Sequence, residues 1–189
     1  MKDRRKIFLL LLGLISLVLS SCSQPQECDV NFLKLDALLI SIDNIPKPDS
    51  WSVYGPNNGV IDHERSTDLL GIAFFSDLFP TNLGSSETVY RYNTIEGAER
   101  DFSYASNYFG DGNFPNDWAF ISEKADESYI ACEDGVSVDF PKCYWIARYD
   151  CIVIEFRSWL IPDRMTLEDM ESIVREIDQK AGELIPDNY

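Results

Sequence analysis

Nucleophilic catalysis needs a base beside a serine or cysteine, and that base is most often histidine. His63 is the only histidine of the chain and lies between Asp62 and Glu64 in the polar stretch NGVIDHERSTD. Flanking carboxylates hold such an imidazole toward its protonated form, and the stretch has the composition of a turn, so His63 is read as a surface residue. No Gly-x-Ser-x-Gly elbow and no Ser-x-x-Lys pair occurs. Carboxylates are the abundant chemical group: 32 Asp+Glu against 16 Lys+Arg. Glycoside hydrolysis needs only two of them at a set separation, which leaves that chemistry open. Glu155, an isolated acid in the apolar run IVIEFRSW, is expected at a sheet edge or pointing outward beside Arg157. The loop YFGDGNFPNDW gathers Asp111, Asn113, Asn116 and Asp117 among glycines and a proline. These are oxygen ligands of the kind calcium takes, but their spacing does not match the Asp-x-Asp-x-Asp-Gly-x5-Glu loop. No metal and no cofactor is therefore expected. The loop is read as the candidate binding loop, with Trp118 and Phe114 tacking it to the rest of the domain.

The N-terminus sets the address. Lys2, Arg4, Arg5 and Lys6 precede an apolar run from Ile7 to Leu19. It is too short for the ~20 residues of a bilayer-spanning helix and of the length of a signal-peptide core. The run ends in Leu19-Ser20-Ser21-Cys22, which resembles the bacterial lipobox. The resemblance implies a signal peptide over residues 1–21, acylation of Cys22, a tether over 22–28 and a single extracytoplasmic domain over 29–189. Cys28, Cys132, Cys143 and Cys151 remain, an even number in an oxidising compartment, with three possible pairings. If SYIACE and CYWIARY form a hairpin with its loop centred near Ser137, Cys132 faces Cys143, Ala131 faces Tyr144 and Ile130 faces Trp145. Cys28 then pairs with Cys151 by elimination. A structural zinc site is not expected, because no Cys-x-x-Cys spacing occurs.

The whole chain carries a net charge of −16. Loss of residues 1–21 removes four basic side chains and one acid, which takes the charge to −19. Such a field repels phosphate backbones, so no nucleic-acid partner is expected.

The elements that must position these residues follow from periodicity. Phe32, Leu35, Leu38, Leu39 and Ile42 have helical spacing ahead of Pro46. Trp51 to Tyr54, residues 69–76 and residues 87–92 read as strands. NTIEGAERDFSYASNYFG reads as a helix capped by Asn93, with Glu96 three residues on and Gly110 as its stop. Residues 118–124, 127–133, 143–149 and 151–159 read as a meander of strands. Thr166 then caps a C-terminal helix with the stripe Leu167, Met170, Ile173, Val174, Ile177, Ala181 and Leu184. Trp51, Trp118, Trp145 and Trp159 are expected mainly in the core. Both ETVYRYNTIEGAERDF and the segment from Cys151 to Val174 run strand, turn, capped helix, which suggests a duplicated unit. The expected fold is α+β: a curved antiparallel β-sheet with two or three amphipathic helices packed on one face.

LLISIDNIPKPDSW, VYRYNTIEGAERDF, the cysteine-bearing hairpin and TLEDMESIVREID together resemble small uncharacterised bacterial lipoproteins. More loosely they resemble the two-disulfide extracellular sensor domains of bacterial Ser/Thr kinases. The resemblance implies an envelope address and a ligand cleft over an antiparallel sheet. The expected function is a non-enzymatic binding module, sensor or accessory, held to the membrane through lipid at Cys22 and contacting an unknown envelope ligand or protein. A glycan-acting enzyme with paired carboxylates and a carrier of apolar molecules are the alternatives.

Overall fold

The structure, a computed structural model, describes residues 26–28, 33–58, 66–76, 83–108, 112–134 and 140–185. Cys22, His63 and Asp111 lie outside the described residues. The elements run β1 (Trp51–Asn57), β2 (Asp68–Ser76), β3 (Gly84–Arg91), α1 (Ile95–Tyr108), β4 (Glu127–Glu133), β5 (Lys142–Tyr149), β6 (Ile152–Trp159) and α2 (Leu167–Leu184). The strands form one antiparallel sheet in the order β1-β2-β3-β6-β5-β4. Two three-stranded meanders therefore meet along β3 and β6, where Val89 stands opposite Ile154. The fold is α+β, as the alternation of patterns predicts.

β6 is central and covered on both faces, which is why IVIEFRSW reads as a nearly continuous apolar run. Ile152, Ile154 and Phe156 pack with Met170, Ile173, Val174 and Ile177 of α2. Val153 and Ile146 pack instead with Ala98 and Phe102 of α1. Burying an Ile or Phe to zero exposure, as at Ile154 and Phe156, stabilises the fold by roughly 1.5–3 kcal/mol per side chain. Successive strand residues point to opposite faces, so the two helices lie on opposite faces of the sheet rather than together on one. The chain leaves β3, crosses β6 and β5 as α1, and enters β4 at the far edge. α2 returns over the other face. A true duplication related by the axis between β3 and β6 would put both helices on one face, so the strand-turn-helix echo is not a structural repeat.

The N-terminal segment corrects the expected first helix: it forms three short 3₁₀ turns, Leu35–Ala37, Ile42–Asn44 and Pro48–Ser50. Leu38, Leu39 and Ile40 are all buried, and no single face of an α-helix can bury three consecutive residues. Their backbone is also committed elsewhere. The Ile40 amide donates to the Glu87 carboxyl at 2.7 Å, and the Lys180 ammonium donates to the Leu39 carbonyl at 2.5 Å.

Residues 118–124 are likewise not a strand. Their polar groups are spent on α2 and on themselves: the Ala119 amide donates to Glu171, the Ser122 hydroxyl to Asp178, and the Trp118 indole to the Phe120 carbonyl. The segment packs on α2 instead of pairing with the sheet.

Several local expectations are met. Thr166 caps α2, its hydroxyl accepting from the Asp169 amide at 3.1 Å while the Asp169 carboxylate accepts from the Thr166 amide. α1 is capped one residue later than expected, by Thr94, whose hydroxyl accepts from the Gly97 amide; the Asn93 carbonyl accepts from Cys28 instead. β4 and β5 pair in the expected register, with Cys132 opposite Cys143, Ala131 opposite Tyr144 and Ile130 opposite Trp145. Two disulfides close the domain, Cys132–Cys143 and Cys28–Cys151. Gly84 is required by close approach, since a Cβ there would sit 1.9 Å from the Phe74 carbonyl oxygen.

Candidate functional site

A cleft of about 360 Å³ opens between α1 and the sheet face it covers. Its wall is one stripe of α1, Asp101, Tyr104, Ala105 and Tyr108, at spacings of three and four residues. The floor comes from three adjacent strands: Tyr90 of β3, Glu155 and Arg157 of β6, and Lys142, Tyr144 and Ile146 of β5. Burial along α1 explains the opening. Ala98 and Phe102 are buried against the sheet, Ala105 is half-buried, and Tyr108 is exposed. The helix thus seals the cleft at one end and leaves it open at the other.

Glu155 corrects the sequence reading. It lies on the central strand and is 5% exposed, neither at an edge nor outward. Its carboxylate accepts from Arg157 at 2.5 Å and from the Tyr90 hydroxyl at 3.3 Å. Burial alone would lower the Arg157 guanidinium, but the Glu155 carboxylate outweighs it and holds it firmly charged. Tyr90 is pushed up by burial and by the same carboxylate, so its hydroxyl keeps its proton as a donor. Tyr144 is pushed up by burial and by its 2.5 Å hydrogen bond to Glu133. On the helix side Asp101 accepts from the Tyr92 hydroxyl.

Beside these pairs lies a cation on an aromatic shelf. The Lys142 ammonium sits 4.6 Å from the centre of the Tyr144 ring and 5.5 Å from that of Trp159, and the Arg157 guanidinium is 5.8 Å from the Tyr144 ring. Burial lowers Lys142 below the usual lysine range, and Arg157 lowers it further. The two-residue strand period creates this grouping: Lys142 and Tyr144 on β5, and Glu155, Arg157 and Trp159 on β6, share one face.

The residues of the expected binding loop lie elsewhere. Asn113 pairs through its backbone with Cys132, extending the sheet along the outer edge of β4. Asn116 and Asp117 are exposed beyond it. Trp118 is buried, in edge-to-face contact with Phe120. None of these four lines the cleft, although the connection after α1 starts at its rim, at Tyr108. Among the described residues no group of three or more His, Cys, Asp or Glu side chains could hold a metal ion. Trp51 and Trp145 are core residues, whereas Trp159 is only partly buried.

No protein-family model, curated protein or solved structure matches the chain.

Proposed function

We propose that the chain is a lipid-anchored extracytoplasmic binding module, held to a membrane through Cys22 and taking an envelope ligand in the tyrosine-walled cleft without transforming it. The observation that carries this reading is the position of the cleft relative to the tether. Glu27 pairs with Thr94, and Cys28 is bridged to Cys151 in the β5–β6 turn. Six residues from Cys22 to Cys28 reach at most ~20 Å. Lys142, Tyr144 and Arg157 stand at the other end of the same two strands, roughly 20 Å along at ~3.3 Å per residue. A domain tethered in this way carries the open end of its cleft, at Lys142 and Tyr108, on the side away from the lipid. Two disulfides suit the oxidising compartment that the lipobox implies. The net negative charge disfavours nucleic acid as a partner.

Metabolic labelling with a fatty acid in bacteria expressing the full chain tests the anchor. Wild type is expected to take up the label and Cys22→Ala to take up none; a wild type that takes up no label, or a Cys22→Ala chain labelled as strongly as wild type, overturns the anchor. Native mass spectrometry of the purified protein tests the cleft. Ala105→Trp, which fills the half-buried wall position, is expected to remove a small-molecule adduct retained by wild type. An adduct that survives Ala105→Trp moves the site elsewhere.

A glycan-acting enzyme is a second reading, favoured by Asp101 and Glu155 lining one cleft. Both carboxylates are already engaged, Glu155 by Arg157 and Tyr90 and Asp101 by Tyr92. Carboxylates fixed in this way suit acceptors for ligand hydroxyls better than an acid that must give up a proton. Turnover of an envelope glycan that is lost in Glu155→Gln would favour the enzyme.

A further inference from the structure

We infer that the ligand of this cleft is an acidic saccharide, its carboxylate received by Lys142 and Arg157 and its ring resting on the tyrosines. The inference rests on the cleft being the ligand site, as proposed above, and names the class of ligand.

Lys142 is the decisive residue. In a chain with twice as many acids as bases, a surface lysine ordinarily finds a carboxylate. Among the described residues the Lys142 ammonium has no hydrogen-bond or ion-pair partner. The acids near enough to act on it, Glu133 and Glu155, are engaged by Tyr144 and by Arg157 with Tyr90. Its neighbours are two aromatic faces and a second cation. Cation–π contact with Tyr144 and Trp159 holds the ammonium in place but does not neutralise it. Two cations at one end of an open cleft, one of them with no acid among the described residues in hydrogen-bond or ion-pair contact, make a receptor for an anion. Arg157 adds a planar fork suited to carboxylate, with Glu155 fixing its orientation.

The rest of the cleft suits a sugar ring. Tyr104 and Tyr108 are exposed phenol faces on the wall, 61% and 72% accessible, opposite the Tyr144 ring on the floor. Aromatic faces of this kind pack against the C–H face of a pyranose. The Glu155 carboxylate and the Asp101 carboxylate accept hydrogen bonds that hydroxyls can donate. A purely apolar ligand would cover the half-exposed Arg157 and Lys142 and leave them desolvated without compensation. That separates this class from the carrier of apolar molecules.

The test uses the full chain in detergent and two probes, a galacturonic acid trisaccharide and its fully methyl-esterified form, which exchanges each charge for a methyl ester, with direct binding by isothermal titration calorimetry as readout. The acid is expected to bind on the order of tenfold more tightly than the ester, the size of one charge-assisted hydrogen bond. Raising the salt should narrow the gap. Lys142→Met, which keeps the stem on Tyr144 and Trp159, should abolish the preference, and Lys142→Arg should restore it. Equal binding of acid and ester, no binding of either, or a preference that survives Lys142→Met overturns the inference. The cleft itself is tested separately: binding of either probe that is lost in Ala105→Trp keeps the cleft as the site, and binding that persists there removes it.

Discussion

The carboxyl of Glu87, fully buried on the central strand β3, accepts a 2.7 Å hydrogen bond from the backbone amide of Ile40. This bond fastens the N-terminal 3₁₀ segment to the sheet. Lys180 of α2 reaches the neighbouring Leu39 carbonyl and tightens the same fastening.

The burial of Glu87 makes stability depend on pH. Burial raises Glu87 from 4.5 to about 8, opposed by the Ile40 amide and by Lys180. The folded state therefore holds this proton more tightly than the unfolded chain. The stability it contributes is full below pH 4.5 and declines as pH rises from 4.5 through about 8. Above that it stays lost. Glu87→Gln, which mimics the protonated acid, should flatten this decline: urea midpoints measured at pH 5, 7 and 9 should fall less for the variant than for wild type. Parallel slopes would show that Glu87 ionises no differently in the fold.

The two disulfides should differ in weight. Cys28–Cys151 closes a separation of 123 residues and Cys132–Cys143 one of 11. Loop-closure entropy assigns roughly 5 kcal/mol to the first and roughly 3 to the second. Replacing Cys28 and Cys151 by serine should lower the denaturation midpoint more than the same change at Cys132 and Cys143, where the strand pairing itself already holds the ends together. Chemical denaturation of the two double variants checks the order. A larger loss from the hairpin pair would mean that the unfolded chain is not free around the long loop.

Much of the scaffold is legible in the sequence because it rests on short-range signals. The spacing of Cys132 and Cys143 with Ser137 between them gives the β4–β5 register, and Thr166 with Asp169 gives the start of α2. What fails is neighbourhood. Alternation at Trp118 and Phe120 looks like a strand, but nothing local tells that α2, not a sheet edge, lies beside it. Helical spacing at Leu35 and Leu38 cannot reveal that Glu87 and Lys180 will take the backbone groups of residues 39 and 40. The cleft is the clearest case. Its floor joins residues of β3, β5 and β6, and only the crossing of two meanders makes those strands adjacent. A partial signal exists: Asp101, Tyr104, Ala105 and Tyr108 form a polar-aromatic stripe beside the buried one of α1. Lys142 with Tyr144 and Glu155 with Arg157 also fall at the two-residue strand period, polar groups inside otherwise apolar strands.

Arg148 should prove a structural centre at the end of the sheet that holds the β5–β6 turn. It is 7% exposed and donates to Asp126 at 3.0 Å, to Glu127 at 3.2 Å and to the Asp150 carbonyl at 3.3 Å, with Glu99 of α1 at 3.9 Å. One guanidinium thus joins the start of β4, the β5–β6 turn and α1. The acids themselves are about half exposed, so each ion pair alone is worth little after solvent screening. The loss on replacing Arg148 comes instead from the shared donor: Asp126 keeps only the Asp150 amide at 2.6 Å, and the turn loses its brace. Arg148→Met should cost about 2 kcal/mol in urea denaturation. Arg148→Lys should recover only part of it, because one ammonium cannot serve three directions at once. Full recovery by lysine would reduce Arg148 to a point charge and show that its planar fork is not needed.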